Sequence, residues 1–220
     1  YIFSGNISVY ASLKHSHPSL LYCHTPPRVF YDLREDYLKD AKGIVRPVFR
    51  IWTKTHRVVD RYIVSRIERI VVNSKNVQNR VRRIYHRSSK VVYGPVDVKK
   101  YRFEDIGDYW LSVNRLFAHK RVDFQLELFR HLPEEKLLVV GGMAGSGPDR
   151  EYGEKLKPPK NVKLLGNVEE EELIKLYANC KGFITTAKDE DFGVTPIEAM
   201  ASGKVVLAVN EGGFRETVIN

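Results

Sequence analysis

Two carboxylates eight positions apart, Glu190 and Glu198, flank a predicted helix start and could together hold a ligand that is rich in hydroxyl groups. Pro is favoured in the first turn of a helix, because its missing N–H would be unpaired there anyway. The sequence therefore predicts Thr195 as the N-cap and Pro196 as the first helical residue. The unpaired N–H groups at such a start suit an anion, and phosphate above all. Hydroxyls, a diphosphate and further hydroxyls are the layout of a sugar nucleotide.

Each part of this segment also has a simpler interpretation. Thr195 and Glu198 fit a capping box, in which Glu198 only reaches back to the N-cap N–H. Glu190 could be a solvated carboxylate in the acidic run from Asp189 to Asp191. For the segment taken alone, the capping interpretation is the favoured one, so the rest of the chain has to decide.

Two cations, Arg115 and Lys120, follow a predicted strand that ends at Val113. Open α/β sheets bind ligands beyond the carboxyl ends of their strands. A planar guanidinium fork and a compact ammonium group would together suit a diphosphate. Surface charge is the alternative explanation, since a basic chain supplies such residues by chance.

Two glycine turns also follow predicted strands. A run that begins with Gly141 and Gly142 lets a backbone approach a ligand closely, although it matches no standard phosphate-binding pattern. Gly166, Asn167 and Val168 end another strand, where main-chain groups could meet a nucleobase.

A parallel sheet is needed to bring these segments together. Several apolar runs are continuous rather than alternating, as in parallel strands that are buried on both faces. They cover residues 20–23, 70–72, 110–113, 137–140, 163–165, 182–185 and 205–209. Helical spacing separates them at residues 122–131, 169–178 and 195–202. The alternation predicts a doubly wound α/β fold.

The sequence predicts two such domains. Residues 1–100 would be the C-terminal part of one domain, residues 101–108 a polar linker, and residues 109–220 most of a second domain. The chain starts at Tyr1 without Met and stops at Asn220 inside a predicted helix, so we expect a fragment of a longer protein.

A long amphipathic helix is predicted over residues 44–66. Its apolar stripe consists of Val45, Val48, Phe49, Trp52, Val59, Tyr62 and Ile63. Its other faces carry Arg46, Arg50, Lys54, Arg57, Arg61 and Arg66. Packing of the stripe against a core is the favoured interpretation, and contact with an anionic membrane surface is the alternative.

The composition limits the class of protein. A net charge of +9 over 220 residues indicates an anionic partner: nucleic acid, acidic lipid headgroups or a phosphorylated substrate. Cys23 and Cys180 have no metal-site spacing and are predicted to be reduced and buried in a cytosolic protein, with a disulfide between them as the alternative. No apolar run approaches the ~20 residues of a membrane span.

In this order, the segments resemble the retaining glycosyltransferases of family 4, which have the GT-B fold of two Rossmann-like domains. Glu190 and Glu198 match the E-x₇-E motif of that family, and the segment 205–216 continues the match. The run 22–28 is similar to a mannosyltransferase branch. The sequence departs from the family at Asn114 and Arg121, where Gly is usual, and at Asp191, where Pro is common.

The resemblance implies a role for each candidate residue. Arg115 and Lys120 would neutralise the diphosphate leaving group, with no obligatory metal or other cofactor. Glu198 would accept hydrogen bonds from the ribose, and Glu190 from hydroxyls of the donor sugar. His24 would face the cleft from the first domain, although a structural His at a strand end is about equally compatible with the local sequence.

The remaining roles belong to the backbone. The N–H groups of Val194 and Thr195 would bind phosphate, and the two glycine turns would line the nucleotide. Gly212, Gly213 and Glu216 would be mainly structural.

The resemblance implies a cytoplasmic enzyme, peripheral on the inner face of a membrane, that transfers mannose from GDP-mannose to a glycan or lipid-linked acceptor with retention of configuration. A UDP-sugar is the alternative donor. Another GT-B synthase or phosphorylase-like enzyme is the second possibility, and a basic module that binds nucleic acid or anionic lipid is the third. The last leaves Glu190 and Glu198 unexplained, and without interleaved aromatic residues nucleic acid is not the expected partner. The fragment alone is expected to be inactive.

Overall fold

A computed structural model describes residues 1–14 and 18–219, and the chain folds into two compact units, Tyr1–Gly94 and Pro95–Asn220. Each unit contains a parallel sheet with helices between its strands. The predicted α/β class is therefore confirmed. Within the described residues, no helix combines the length and apolar character that a membrane span requires.

The first unit is built on strands β1 (Ile2–Ser4), β2 (Leu20–Cys23), β3 (Arg69–Val72) and β4 (Lys90–Val91). They are parallel and hydrogen-bonded in this order, with Leu21 opposite Ile70. The helices are α1 (Arg34–Asp40), α2 (Val45–Ser65) and α3 (Lys75–Tyr85), with 3-10 turns at Ser8–Lys14 and Arg28–Phe30. The core is apolar and includes Phe3, Leu21, Ile63, Ile67, Val72, Val77 and Val81.

Helix α2 corrects one prediction. Its bounds agree with the sequence, but the predicted stripe does not pack as a whole against the core. Val45, Val48 and Tyr62 are more than half exposed, whereas Ile63 is fully buried. The apolar periodicity of the sequence combined two neighbouring rows of side chains into one predicted stripe. One row packs against the core, and the row beside it on the helix surface faces outward.

The second unit contains β5 (Tyr109–Val113), β6 (Lys136–Val140), β7 (Val162–Gly166), β8 (Gly182–Thr185) and β9 (Val206–Ala208). The parallel strand order is β7-β6-β5-β8-β9. Its helices are α4 (Val122–Arg130), α5 (Pro148–Lys155), α6 (Glu170–Asn179), α7 (Val194–Ala201) and α8 (Phe214–Thr217), and 3-10 turns lie at Val98–Lys100 and Ala118–Lys120. Segment 101–108 is tied to α6, since Glu104 N and Gly107 N donate to Ala178 O and Asn179 O.

The strand order explains where a ligand site belongs. Within the second unit, the first strand is the central strand β5. The next two strands, β6 and β7, lie on one side of β5, and the following strand, β8, lies on its other side. The loops that follow β5 and β8 therefore leave the same edge of the sheet in opposite directions. Such a switch point leaves a crevice between the two loops.

Candidate functional site

An ion pair joins the two loops at the switch point. Lys120, after β5, places Nζ 2.5 Å from Glu190 Oε2, after β8. The two side chains are only 20% and 17% exposed, so the pair is largely shielded from water. The sequence named both residues but did not show that they meet.

The ion pair controls the charge of Glu190. Burial alone would raise the pKa of its carboxyl group, but the charge and hydrogen bond of Lys120 outweigh burial, with smaller help from His119 and the Asp191 N–H. The net effect holds the pKa of Glu190 below its ordinary value. Glu190 is therefore an anion at neutral pH and available as a hydrogen-bond acceptor.

Thr186 fixes the loop that carries Lys120. Its buried hydroxyl lies 3.1 Å from Lys120 O and 3.0 Å from Arg121 O, and it accepts a 2.8 Å hydrogen bond from Gln125 Nε2. Lys188 N also donates to His119 O at 2.7 Å. These hydrogen bonds join the two loops to each other, which limits how far the ion pair can move.

A second pair, Arg121 with Glu211, braces the loop that carries Glu190. Arg121 Nη1 lies 2.8 Å from Glu211 Oε1, and Glu211 Oε2 accepts from Asp189 N at 3.2 Å. Arg121 has a φ of 52°, in the left-handed region that favours glycine. Glycine would adopt this conformation without strain, and glycine is the residue that the family resemblance led us to expect at this position. Sequence reasoning noted Arg121 only as a departure and missed its partner, for which no local pattern gives a signal.

Gly212 and Gly213 hold the Glu190 backbone from the other side. Gly213 N donates to Glu190 O at 2.7 Å. Gly212 has a φ of +55°, and a Cβ there would lie 2.6 Å from both Glu190 N and Glu190 O. Only glycine fits this approach without moving the loop, as the predicted structural role requires.

Gly212→Ala is expected to lower the free energy of unfolding by about 2–3 kcal/mol, because the new methyl group collides with backbone in a left-handed conformation. A urea titration measures the loss. Gly43→Ala is the matched control, since Gly43 has a φ of +52° but no atom within 4 Å of the added Cβ. That variant should lose only about 1 kcal/mol, from the backbone conformation alone. Equal losses would contradict the packing role of Gly212.

The second carboxylate, Glu198, is held by tyrosines and not by a helix cap. Glu198 Oε2 accepts from the buried Tyr177 hydroxyl at 2.9 Å, and Tyr101 lies close enough to this carboxylate to feel its charge. Burial, followed by the Glu198 charge, raises the pKa of both tyrosines, so both remain hydrogen-bond donors. The contacts orient Glu198, and neither tyrosine was identified from the sequence.

The predicted start of α7 and the capping box are therefore wrong. Helix α7 begins at Val194 after Gly193, which has a φ of 90°, and no side chain caps it. The left-handed glycine starts the helix two residues earlier than a Thr195 cap would. Val194 and Thr195 consequently occupy the first turn, where main-chain N–H groups lack intrahelical acceptors. Val194 is 43% exposed.

The glycine turns pack against each other. Gly141 N donates to Gly166 O at 2.8 Å, and a Cβ on Gly141 would lie 1.8 Å from Asn114 O. A Cβ on Gly142 would meet the Asn167 side chain. Val168 packs partly buried against the core. The sequence predicted that these glycines let the backbone approach a ligand closely. In the structure, they let the backbone approach neighbouring loops of the protein.

Two predicted residues lie outside the ion pair. Arg115 is exposed, with its guanidinium 6.0 Å from the centre of the Phe117 ring. His24 belongs to the first unit, where it is exposed and its Nε2 lies 3.1 Å from Ser4 Oγ. Cys23 and Cys180 are both buried and form no disulfide, as predicted. No cluster of three His, Cys, Asp or Glu suited to a metal occurs among residues 1–14 and 18–219.

Curated relatives carry a consistent description. The alpha-1,3/1,6-mannosyltransferase ALG2 of Saccharomyces cerevisiae is 25% identical over 90% of this chain and 47% of its own length. ALG2 of Dictyostelium discoideum is 42% identical over 51% of this chain and 32% of its own length. A GDP-Man:Man(3)GlcNAc(2)-PP-Dol alpha-1,2-mannosyltransferase of the same organism is 26% identical over 78% of the chain and 39% of its own length. The chain spans at most about half of these relatives.

Solved structures and the family match agree with these relatives. Sucrose-phosphate synthase from Thermosynechococcus elongatus has a TM-score of 0.76 at 18% identity and covers 99% of this chain and 57% of its own. HepE from Anabaena, solved with UDP and glucose, has a TM-score of 0.74 at 19% identity, and the match covers 100% of this chain and 61% of the HepE chain. These likenesses show the GT-B fold. The family "Glycosyl transferases group 1" matches residues 96–220, more than half of the sequence. The chain belongs to the group 1 glycosyl transferases.

Proposed function

We propose that the complete protein transfers mannose from a nucleoside diphosphate sugar to a glycan or lipid-linked acceptor, with retention of anomeric configuration. The observation that carries the proposal is the Lys120–Glu190 pair at the switch point, in the loop that leads into α7. A shielded cation, an ionised carboxylate and the first turn of a helix together match the charge pattern of a sugar diphosphate.

In this proposal each group has one task. Lys120 exchanges its contact with Glu190 for the diphosphate when the donor binds, and exposed Arg115 moves to share that charge. Glu190 is then free to accept hydrogen bonds from hydroxyls of the donor sugar. The N–H groups of Val194 and Thr195 bind a phosphate, and Glu198, held by Tyr177, accepts from the ribose.

The donor and acceptor are proposed from the relatives. A relative whose name includes GDP-Man supports GDP-mannose as donor, and the PP-Dol in that name supports a lipid-linked acceptor. HepE was solved with UDP and glucose, so a UDP-sugar is the alternative donor. We also propose a cytoplasmic protein that is peripheral on the inner face of a membrane.

The test is a transfer assay of the complete protein with GDP-mannose or UDP-glucose and a lipid-linked oligosaccharide, followed by NMR of the anomeric proton in the product. We expect an α-linked mannose from the α-linked donor. A β-linked product would contradict retention. Transfer of sugar to or from a free phosphate or sugar phosphate, with none to the lipid-linked acceptor, would instead support the synthase or phosphorylase chemistry. Tight, salt-sensitive binding of DNA without transfer would contradict the enzyme proposal itself.

A further inference from the structure

The outer face of α2 is an apolar surface that the rest of the chain leaves uncovered. Ile44, Ile51 and Val58 are 77%, 68% and 67% exposed. With about 100° between successive residues, the large exposed apolar side chains share one arc of about 140°. They are Ile44, Val45, Val48, Ile51, Trp52, Val58, Val59 and Tyr62. We call this set the apolar face of α2. Isolated exposed apolar residues are ordinary, but a contiguous row marks an interaction surface.

The apolar face of α2 is distinct from the side of the helix that packs into the unit. On that inner side, Ile63 and Val64 are at most 1% exposed. Asp60 is equally buried there and accepts hydrogen bonds from Tyr31 and Tyr85 hydroxyls at 2.7 and 2.8 Å. The inner side of α2 is therefore occupied within this chain, and the apolar face lies on the other side of the helix.

A basic row runs along one flank of the apolar face. It comprises Arg46, Arg50, Lys54, Arg57 and Arg61, of which only Arg57 is partly buried. The whole first unit shares this sign: residues 1–94 carry 18 Lys and Arg against 6 Asp and Glu, a net charge of +12. Residues 95–220 carry 18 against 21, a net charge of −3. The excess charge of the chain is thus confined to the unit that contains α2.

We infer that the apolar face of α2 inserts into the interface of an anionic lipid membrane. Amphipathic helices bind in this way, with the apolar row among the upper acyl chains and the basic row at the headgroups. A second copy of the chain fits this face less well, because the first units that would meet there each carry a net charge of +12 and would repel each other. The inference names the contact surface for the proposed peripheral location and rests on that proposal.

The experiment is co-sedimentation of the complete protein with phosphatidylcholine vesicles that contain or lack about one third phosphatidylserine. We expect binding only to the anionic vesicles, weakened by added salt. Arg50→Gln/Lys54→Gln should weaken binding about 30-fold, from the usual contribution of two basic residues at such a surface. Ile51→Gln/Val58→Gln should weaken binding by roughly tenfold or more.

Controls match each variant. Lys157→Gln/Lys160→Gln removes two exposed cations and Ile106→Gln one exposed apolar side chain, all from the second unit. These variants should bind vesicles as the wild type does. Equal binding by the α2 variants would overturn the inference, as would self-association that the same variants abolish without any vesicle binding. Calorimetry on the same samples measures nucleotide affinity, which the α2 variants should leave unchanged. A protein that binds nucleotide but not vesicles would overturn only the membrane inference, whereas a protein that binds no nucleotide would overturn the proposed donor site.

Discussion

Glu190→Gln in the complete protein is expected to reduce kcat by about 10²- to 10³-fold, the range found when one preorganised electrostatic contact to a reacting centre is removed. The amide keeps the shape of the side chain but loses its charge and half of its accepting capacity. Steady-state transfer assays at saturating donor measure the change. Because the proposed contacts of Glu190 strengthen as charge develops at the anomeric carbon, KM for the donor should change much less than kcat.

The pH dependence of stability is the internal control for this variant. The lowered pKa of Glu190 means that its pairing with Lys120 stabilises the fold above the ordinary Glu pKa of about 4.3, and that this contribution is lost as the pH falls through the folded-state pKa. At pH 7, Glu190→Gln should therefore cost about 1–2 kcal/mol in the free energy of unfolding, and the difference should vanish on acidification. Full turnover in a variant that shows this loss of stability would assign Glu190 a structural role alone.

Glu198→Gln is expected to weaken nucleoside diphosphate binding by about 10- to 100-fold, since hydrogen bonds to a charged acceptor contribute more than neutral ones. Gln can still accept from Tyr177, so the fold should be little affected. Tyr177→Phe is the matched control, because it removes the hydroxyl that orients Glu198 and leaves the carboxylate in place. It should weaken nucleotide binding less than Glu198→Gln. Wild-type nucleotide affinity in Glu198→Gln would contradict a ribose contact.

The parallel sheets could be predicted from the sequence because their strands are continuously apolar. The run 182–185 is buried along its whole length, and this strand coincides with its prediction. Helix α3 was missed, although Ser74 before Val77 and Val81 is a readable signal: the Ser74 hydroxyl accepts from Val77 N, and both valines are fully buried. Its strongly basic outer face obscured the apolar spacing.

Other features depend on contacts that no local pattern encodes. The Arg121–Glu211 pair spans 90 residues and exists because β8 and then β9, which precedes Glu211, lie beside β5 in the sheet. The exposure of the α2 apolar face depends on which side of the helix meets β-sheet and α3, and periodicity alone does not distinguish a buried row from an uncovered one. The predicted start of α7 was wrong because Thr-Pro is a strong local signal, which left-handed Gly193 and its close packing against Phe214 override.

Calorimetric titration of GDP, UDP and ADP into the wild-type protein, Glu190→Gln and Glu198→Gln will show whether Glu190 and Glu198 form the two ends of one sugar-nucleotide site. We predict that the wild type binds GDP best, that Glu198→Gln loses most of this affinity, and that Glu190→Gln retains it while losing turnover. If the wild type binds none of the three nucleotides, or if all three proteins bind them with equal affinity, the two carboxylates do not form such a site.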